Sequence, residues 1–246
     1  MRRNVIHDYW VFNSVFYART YDKLQLRRDD ILLDVGANIG LVTLYFYDKV
    51  NKILAIEPEP DNFRMLRHNV QTNNCKNVIT VNKAVSDERG FTQFDHTGGE
   101  AIAKQAESGI LMDTLENIMN EWGIIPTAIK MDIEGFELKA MKGFSRYDNL
   151  RQIIMEVHSK NLQSDVSKLL ANQGFSVEFV KENFVHGAIL NVLKHPAAFL
   201  KSEKLHNYDI SRRYSRYLLG LSKDRPTEYR SGDYDSDIKI LYARKL

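Results

Sequence analysis

The sequence predicts an α/β fold built on a doubly wound, Rossmann-like sheet, and three observations predict it. Short apolar runs alternate with helix-period segments at least five times between residues 31 and 180, at spacings that suit right-handed βαβ crossovers. The first run, 31–35, breaks at the small residues Gly36-Ala37-Asn38 and resumes with helical spacing at Leu41, Val42, Leu44 and Tyr45. The chain has 246 residues, 43% hydrophobic and 27% charged, enough for one large α/β domain with an appendage.

Taken in order, residues 5–20 carry Trp10, Phe12, Val15, Phe16 and Tyr17, the pattern of an amphipathic helix covering one edge of the core. The strand at 31–35 follows a polar lead-in, and the strand at 52–57 ends at Pro58. Pro60 pre-sets a helix carried by Phe63, Leu66 and Val70, which Asn73-Asn74 closes. A third strand at 78–81 leads into Ala84-Val85-Ser86-Asp87. Residues 90–94 alternate like a half-exposed strand, and 96–100 form an aperiodic loop. Asp113 or Thr114 can cap a helix through Met119. The fourth major strand is 128–132, with a short helix over 136–141. The fifth is 153–157, with a helix over 164–172 that Gly174 caps and a sixth strand at 175–180. Beyond it the alternation fails. Segments 185–200 and 211–221 read as helices, and 238–243 as a closing strand. The expected organisation is an N-terminal helical cover over 1–28 and a domain over 29–246, with a helical, basic insertion at about 182–236 before the last strand.

Composition excludes several classes. No apolar run is long enough to span a bilayer or to serve as the core of a signal peptide. Cys75 is the single cysteine, which rules out an intramolecular disulfide and a multi-cysteine zinc site, and points to a reducing, cytoplasmic setting. The net charge of +2 is too small for the whole chain to bind polyanions. Residues 194–246 differ, with 12 Lys+Arg against 7 Asp+Glu and six tyrosines.

A strand, a glycine turn and a helix form a nucleotide cradle, because glycines admit close backbone approach. The nucleotide is narrowed by what the turn lacks. There is no Gly-x4-Gly-Lys-Ser/Thr run for a P-loop. The G-x-G-x-x-G fingerprint laid on Gly36 puts Asn38 and Leu41 at its second and third glycines, and both fail. What stands there is Asp34-x-Gly36-x-Asn38-x-Gly40. An acid at a strand end repels a pyrophosphate and welcomes a cationic ligand. Glu57 ends the next strand 21 residues after Gly36, where a carboxylate can accept from both ribose hydroxyls. Together these suit S-adenosylmethionine, a zwitterion with a sulfonium and no phosphate. The plainer alternative makes Asp34 a turn cap and Glu57 a solvated strand end.

The succession of Asp34-Val-Gly-Ala-Asn-Ile-Gly40, Ile56-Glu57-Pro58, Ala84-Val85-Ser86-Asp87, Ile129-Lys-Met-Asp132-Ile-Glu134-Gly135-Phe-Glu137 and Met155-Glu156-Val157-His158 resembles the FkbM family of S-adenosylmethionine-dependent methyltransferases. The resemblance covers roughly residues 29–180. It implies a seven-stranded class I methyltransferase sheet, mostly parallel with the last strand antiparallel. It also implies cofactor contacts from Asp34, Gly36, Ala37, Asn38 and Gly40, a ribose contact from Glu57 beside Pro58, and adenine contacts near Ala84 and Val85. Members that O-methylate sugars and polyketides make a small polar molecule or glycan the expected acceptor.

The catalytic candidates stand on two further strand ends. Asp132 and Glu134 could orient an acceptor hydroxyl or the cofactor's amino group, for methyl transfer requires the acceptor oxygen in line and a base if an alcohol must lose its proton. The alternative is that Asp132 caps the next helix and Glu134 is solvated. Glu156 and His158 end the fifth strand, and an ordinary histidine pKa of about 6.5 makes His158 the best-placed base. These four could also form an oxygen-rich metal site; carboxylates at strand ends are common without metal, so none is expected. His96 is a second base candidate in the 96–100 loop.

Arg212, Arg213 and Arg216 interleave with Tyr214 and Tyr217, a pattern open to an anionic or sugar-like acceptor, to RNA, or to a plain amphipathic helix. No Asn-Pro-Pro-Tyr run is present, which turns the acceptor away from a base nitrogen and towards a hydroxyl. The sequence thus reads as an S-adenosylmethionine-dependent methyltransferase acting on oxygen. An RNA methyltransferase and a non-catalytic cofactor-binding protein are the alternatives. Nothing in it signals an oligomeric state.

Overall fold

The structure is a computed structural model that describes residues 8, 11–12, 14–95, 102–106, 109–180 and 238–246. The chain divides into two units, Lys23–Val180 with Asp237–Leu246 and Met1–Asp22 with Lys181–Ser236. The expected helices at 185–200 and 211–221, the Arg/Tyr pattern and His96 lie outside the described residues. Of the expected helix over 5–20, the described residues Asp8, Val11 and Phe12 are helical and Ser14–Ala18 form a π-helical turn, with Phe12 stacked on Phe16 at 4.8 Å.

The first unit named carries the sheet. Its strands are β1 (Ile31–Val35), β2 (Lys52–Ile56), β3 (Val78–Val81), β8 (Ala128–Met131), β9 (Gln152–Val157), β10 (Phe175–Val180) and β11 (Lys239–Lys245). They lie in the order β10-β11-β9-β8-β1-β2-β3. All are parallel except β11, which runs antiparallel between β9 and β10. This is the mostly parallel, seven-stranded Rossmann-like sheet, with its last strand antiparallel, that the sequence resemblance implies. The central strands are apolar on both faces because helices cover both, and Leu32, Leu33 and Val35 have no exposed surface. On one face, Leu33, Val35, Ile129, Met131, Ile153 and Met155 join the apolar sides of three helices. These are α3 (Leu115–Trp122), α4 (Glu137–Lys142) and α5 (Lys160–Asn172). The other two helices are α1 (Leu41–Phe46) and α2 (Pro60–Thr72).

Local chemistry fixes the helix starts. Glu59 accepts from Asn62 N–H at 2.6 Å and Pro60 opens α2, as the sequence predicts. Thr114 caps α3 through Asn117 N–H at 3.1 Å. Ser159 caps α5, so that helix begins four residues ahead of the expected 164. The sequence also understates the β content. Strands β4 (Ala84–Ser86), β5 (Gly90–Asp95), β6 (Ile102–Ala106) and β7 (Ile110–Thr114) form a second sheet in the order β4-β7-β5-β6. Of these, β6 and β7 carry no periodicity distinct from a loop and a helix lead-in.

The connections place the site. From β1 the chain winds outward through β2 and β3, then returns to lay β8 on the other side of β1. The direction of winding reverses between β1 and β8, and in an open α/β sheet a crevice forms outside the strand ends at that reversal. Register levels the ends: Val35 pairs with both Ile56 and Met131, and Met131 with Met155. Gly36, Glu57, Asp132 and Glu156 therefore follow at one edge.

Candidate functional site

The turn after β1 is held by its neighbours' backbones. The N–H groups of Gly36 and Ala37 both donate to the Ile56 carbonyl at 2.9 Å, and Asp132 N–H donates to Val35 O at 3.0 Å. Gly36 has a φ of 74°, and a Cβ there would lie 1.7 Å from the Asp132 carbonyl oxygen. Its missing side chain thus lets the ends of β1 and β8 touch. Gly40, with φ 87°, is filled on its open side by Leu66 of α2, 2.6 Å from where a Cβ would stand. Asn38 adopts a left-handed φ of 50°, as Asn tolerates, and its side-chain oxygen accepts from Ile39 N–H at 2.8 Å.

Asp34 faces inward with no exposed surface. Its Oδ2 accepts from Thr43 of α1 at 2.6 Å, and its Oδ1 lies 3.3 Å from Lys130 Nζ. Lys130, almost fully buried on β8, also donates to the Gly36 carbonyl at 2.6 Å. Burial alone would lower this amine's pKa, but the carboxylates of Asp34, Asp132 and Glu57 outweigh it and hold it above the ordinary value. No role for Lys130 follows from the sequence motifs; its one signal is a lone charge inside the apolar strand Ala-Ile-Lys-Met.

Glu57 follows β2 and is only 5% exposed. Its Oε2 accepts from Asn38 N–H at 2.7 Å and its Oε1 from Glu59 N–H at 2.9 Å. Burial pushes its carboxyl up to about 7, against these bonds and the charge of Lys130. Pro58 beside it is half-buried. Asn82 donates to the carbonyls of Glu57 and Pro58 at 2.8 and 2.9 Å, tying the β3–β4 turn to this end. Ala84 and Val85 follow, both buried.

On the other side of Gly36, three predicted residues meet. His158 Nε2 lies 3.1 Å from Glu134 and 3.7 Å from Asp132. Its Nδ1 lies 2.8 Å from Oε1 of Glu137, a fully buried residue that sequence reading quoted but gave no role. The same oxygen accepts from Gly135 N–H at 3.0 Å, which fixes the loop carrying Glu134. That loop is tight, with φ of 52° at Glu134 and 97° at Gly135. Glu156 is half-buried on the same strand end and outside this group of three.

These carboxylates change the expected chemistry of His158. Burial would lower its pKa, but hydrogen bonds with Glu134 and Glu137, and their charges, raise it to about 11. The ring therefore carries both protons at neutral pH and donates on each side, where the sequence suggested a base. Asp132 is pushed above the usual carboxylate range, by burial first; Lys130 and His158 pull it down, and Glu134 and Glu137 push it up.

A family model for the methyltransferase FkbM domain matches residues 34–177, the span holding every residue of this site. The chain belongs to the FkbM methyltransferase family. It is an S-adenosylmethionine-dependent methyltransferase, with the fold and the ordered strand-end motifs of that family. The chain is 29% identical over 174 residues to the hexuronic acid methyltransferase AglP of Haloferax volcanii, covering 66% of this chain and 72% of the relative. It is 26% identical over 213 residues to the 31-O-demethyl-FK506 methyltransferase FkbM of Streptomyces tacrolimicus, covering 68% and 82%. Among solved structures, FkbM of Methylobacillus flagellatus aligns with a TM-score of 0.48 and 18% identity, over 70% of this chain and 45% of that one. No helix among the described residues is long and apolar enough to cross a membrane.

Proposed function

We propose that this FkbM-family enzyme binds S-adenosylmethionine outside the ends of β1, β2 and β8 and transfers its methyl group to a hydroxyl oxygen of a small polar molecule or a glycan. The observation that carries the reading is Glu57, a carboxylate only 5% exposed at the end of β2, which accepts from the N–H groups of Asn38 and Glu59 and from the Asn62 side chain. A carboxylate has about four acceptor positions, so this one can still accept from a ligand hydroxyl, which fits the ribose role. Asn38 and Gly40 shape the turn beside it, with Gly36 and Ala37 anchored to β2. Ala84 and Val85 offer the apolar surface that suits the adenine. Asp34 acts from below: through Thr43 and Lys130 it fixes the Gly36 carbonyl, rather than meeting the ligand at an exposed surface.

Bound there, the cofactor supplies an electrophilic methyl carbon on a sulfonium. The chain's task is to hold an acceptor oxygen in line with it and exclude water. Asp132 and Glu134, with Glu156 alongside, offer acceptors for the hydroxyl proton, and His158 orients the carboxylates. A polar, hydroxylated acceptor suits this rim. The names of the relatives support it, one specifying a hexuronic acid and the other a 31-O-demethyl compound. The one buried cysteine suits a reducing cytoplasm.

Calorimetry with the purified chain tests the cofactor half. S-adenosylmethionine binds at one site per chain, and Glu57→Ala weakens it at least tenfold, about 1.4 kcal/mol. Undiminished affinity in that variant overturns the assignment. Methyl transfer to uronic acid glycosides, and none to RNA, is the expected outcome of an acceptor panel.

A further inference from the structure

We propose that Asp132, Glu134 and His158 form a binding site for one divalent cation of the Mn2+ type, set on the rim where the acceptor oxygen must lie. The inference rests on the proposed function only for what the ion does, not for its binding. Three observations carry it.

First, one ligand atom from each residue lies within 4.8 Å of the other two. Ligands about 2.1 Å from an octahedral ion stand roughly 3 Å apart when adjacent, so modest side-chain rotation closes the set around an ion. Glu134, 43% exposed at its side chain, already lies 3.1 Å from His158 Nε2.

Second, Glu137 holds the histidine from behind. It has no exposed surface, and its Oε1 takes His158 Nδ1 at 2.8 Å, leaving Nε2 directed at the two carboxylates. A carboxylate on one ring nitrogen and an ion on the other is the usual way a metal-binding histidine is oriented. Coordination through Nε2 sends that nitrogen's proton to solvent.

Third, the negative charge is not fully answered. Asp132 Oδ1, on the Nε2 side of the ring, is closed to solvent and has no hydrogen-bond partner among the described residues. Three carboxylates surround one imidazole, and the nearby amine, Lys130, shares its charge among Asp132, Asp34 and Glu57 while bonding the Gly36 carbonyl. Buried anionic oxygens without donors are costly, and a cation relieves them.

The donor set selects the kind of ion. Two carboxylate oxygens and one imidazole nitrogen form a mixed site for which Mn2+ is suited, with open positions for water and substrate. An ion there gives the acidic rim a means to grip an acceptor with two adjacent oxygens, such as a vicinal diol or a hydroxy acid. It would also lower the pKa of a bound hydroxyl.

Electron paramagnetic resonance of Mn2+ added to the purified full chain, without cofactor, is the direct test. We expect one bound ion per chain, with affinity reduced at least tenfold in Glu134→Gln and in His158→Gln, both checked for folding by circular dichroism. No stoichiometric uptake up to millimolar Mn2+ overturns the proposal, as does uptake undiminished in both variants. Cofactor calorimetry on the same preparations separates the two readings. A chain that binds S-adenosylmethionine but takes up no Mn2+ overturns the cation site alone. A chain that takes up Mn2+ through these residues but binds no cofactor keeps the site and overturns the proposed function.

Discussion

Asp34 and Lys130 face each other across the adjacent parallel strands β1 and β8, paired in register, with the amine 3.3 Å from the carboxylate and 2.6 Å from the Gly36 carbonyl. The pair lies under the turn, not in the crevice. Removing one partner leaves the other charged and buried, whereas removing both leaves an apolar gap. Lys130→Met is therefore expected to cost about 3–5 kcal/mol in urea unfolding. Adding Asp34→Asn to it should recover part of that loss. A single-variant cost under about 1 kcal/mol would contradict the pairing.

Gly36 is the position where a methyl group cannot be housed. Its φ of 74° and the 1.7 Å approach to the Asp132 carbonyl require the two strand ends to separate in Gly36→Ala. Gly123, with φ 61° and nothing within 4 Å, is the matched control. Thermal unfolding should show Gly123→Ala losing about 1 kcal/mol, the cost of left-handed backbone alone, and Gly36→Ala losing at least twice as much.

Glu57 supplies the pH dependence. Its folded pKa is raised to about 7, so between the ordinary carboxyl value and 7 the folded chain holds a proton that the unfolded chain has lost. Without ligand, the stabilisation contributed by Glu57 is therefore fully present below the ordinary value and falls by up to roughly 3 kcal/mol as pH rises through 7. Cofactor binding runs the opposite way, because accepting ribose hydroxyls favours the ionised form. S-adenosylmethionine affinity should fall towards tenfold per pH unit below 7, and Glu57→Gln should flatten both profiles in calorimetry and in denaturant titration.

Arg151 tests whether stability and binding separate. At the opposite edge of the sheet it pairs with the buried Asp30, which also accepts from Thr127 Oγ1 at 2.6 Å and Arg27 N–H at 2.6 Å. Burial raises the Asp30 pKa, but Arg151, Thr127 and Arg27 outweigh it and hold it below the ordinary value. This stabilisation is present above the unfolded pKa and is lost as pH falls through the folded one. Arg151→Met should remove about 2–4 kcal/mol at neutral pH with S-adenosylmethionine affinity unchanged. A parallel loss of affinity would show the two sheet edges to be coupled.

Much of this was legible in the sequence, for a physical reason. The central strands are buried on both faces, so they read as continuous apolar runs, and every strand of the large sheet was found within a residue or two. Of the second sheet only β5 was read as a strand, at 90–94; β7 was not, because it ends in the Asp-Thr of a helix cap and its apolar residues read as the lead-in to α3. At the site, residue types at strand ends pointed to Glu57, Asp132, Glu134 and His158. What a linear reading could not supply was which groups touch. Glu137 and Lys130 are buried charges whose roles depend on partners 21 and 94 residues away. The ionisation of His158 was misread because it follows from those neighbours, not from the imidazole.

The placement of β11 has a consequence for the order of assembly. This strand lies between β9 and β10, so the ladder of β10 cannot form when α5 and β10 dock; it must wait for a segment that begins 59 residues after Val180. Closing a loop of that length costs on the order of 3–4 kcal/mol of chain entropy, recovered only when both flanking ladders zip together. Residues 239–245 thus act as a keystone set last. Lengthening the intervening segment should slow this final step while the β1–β2–β8 centre, and the crevice it carries, form early.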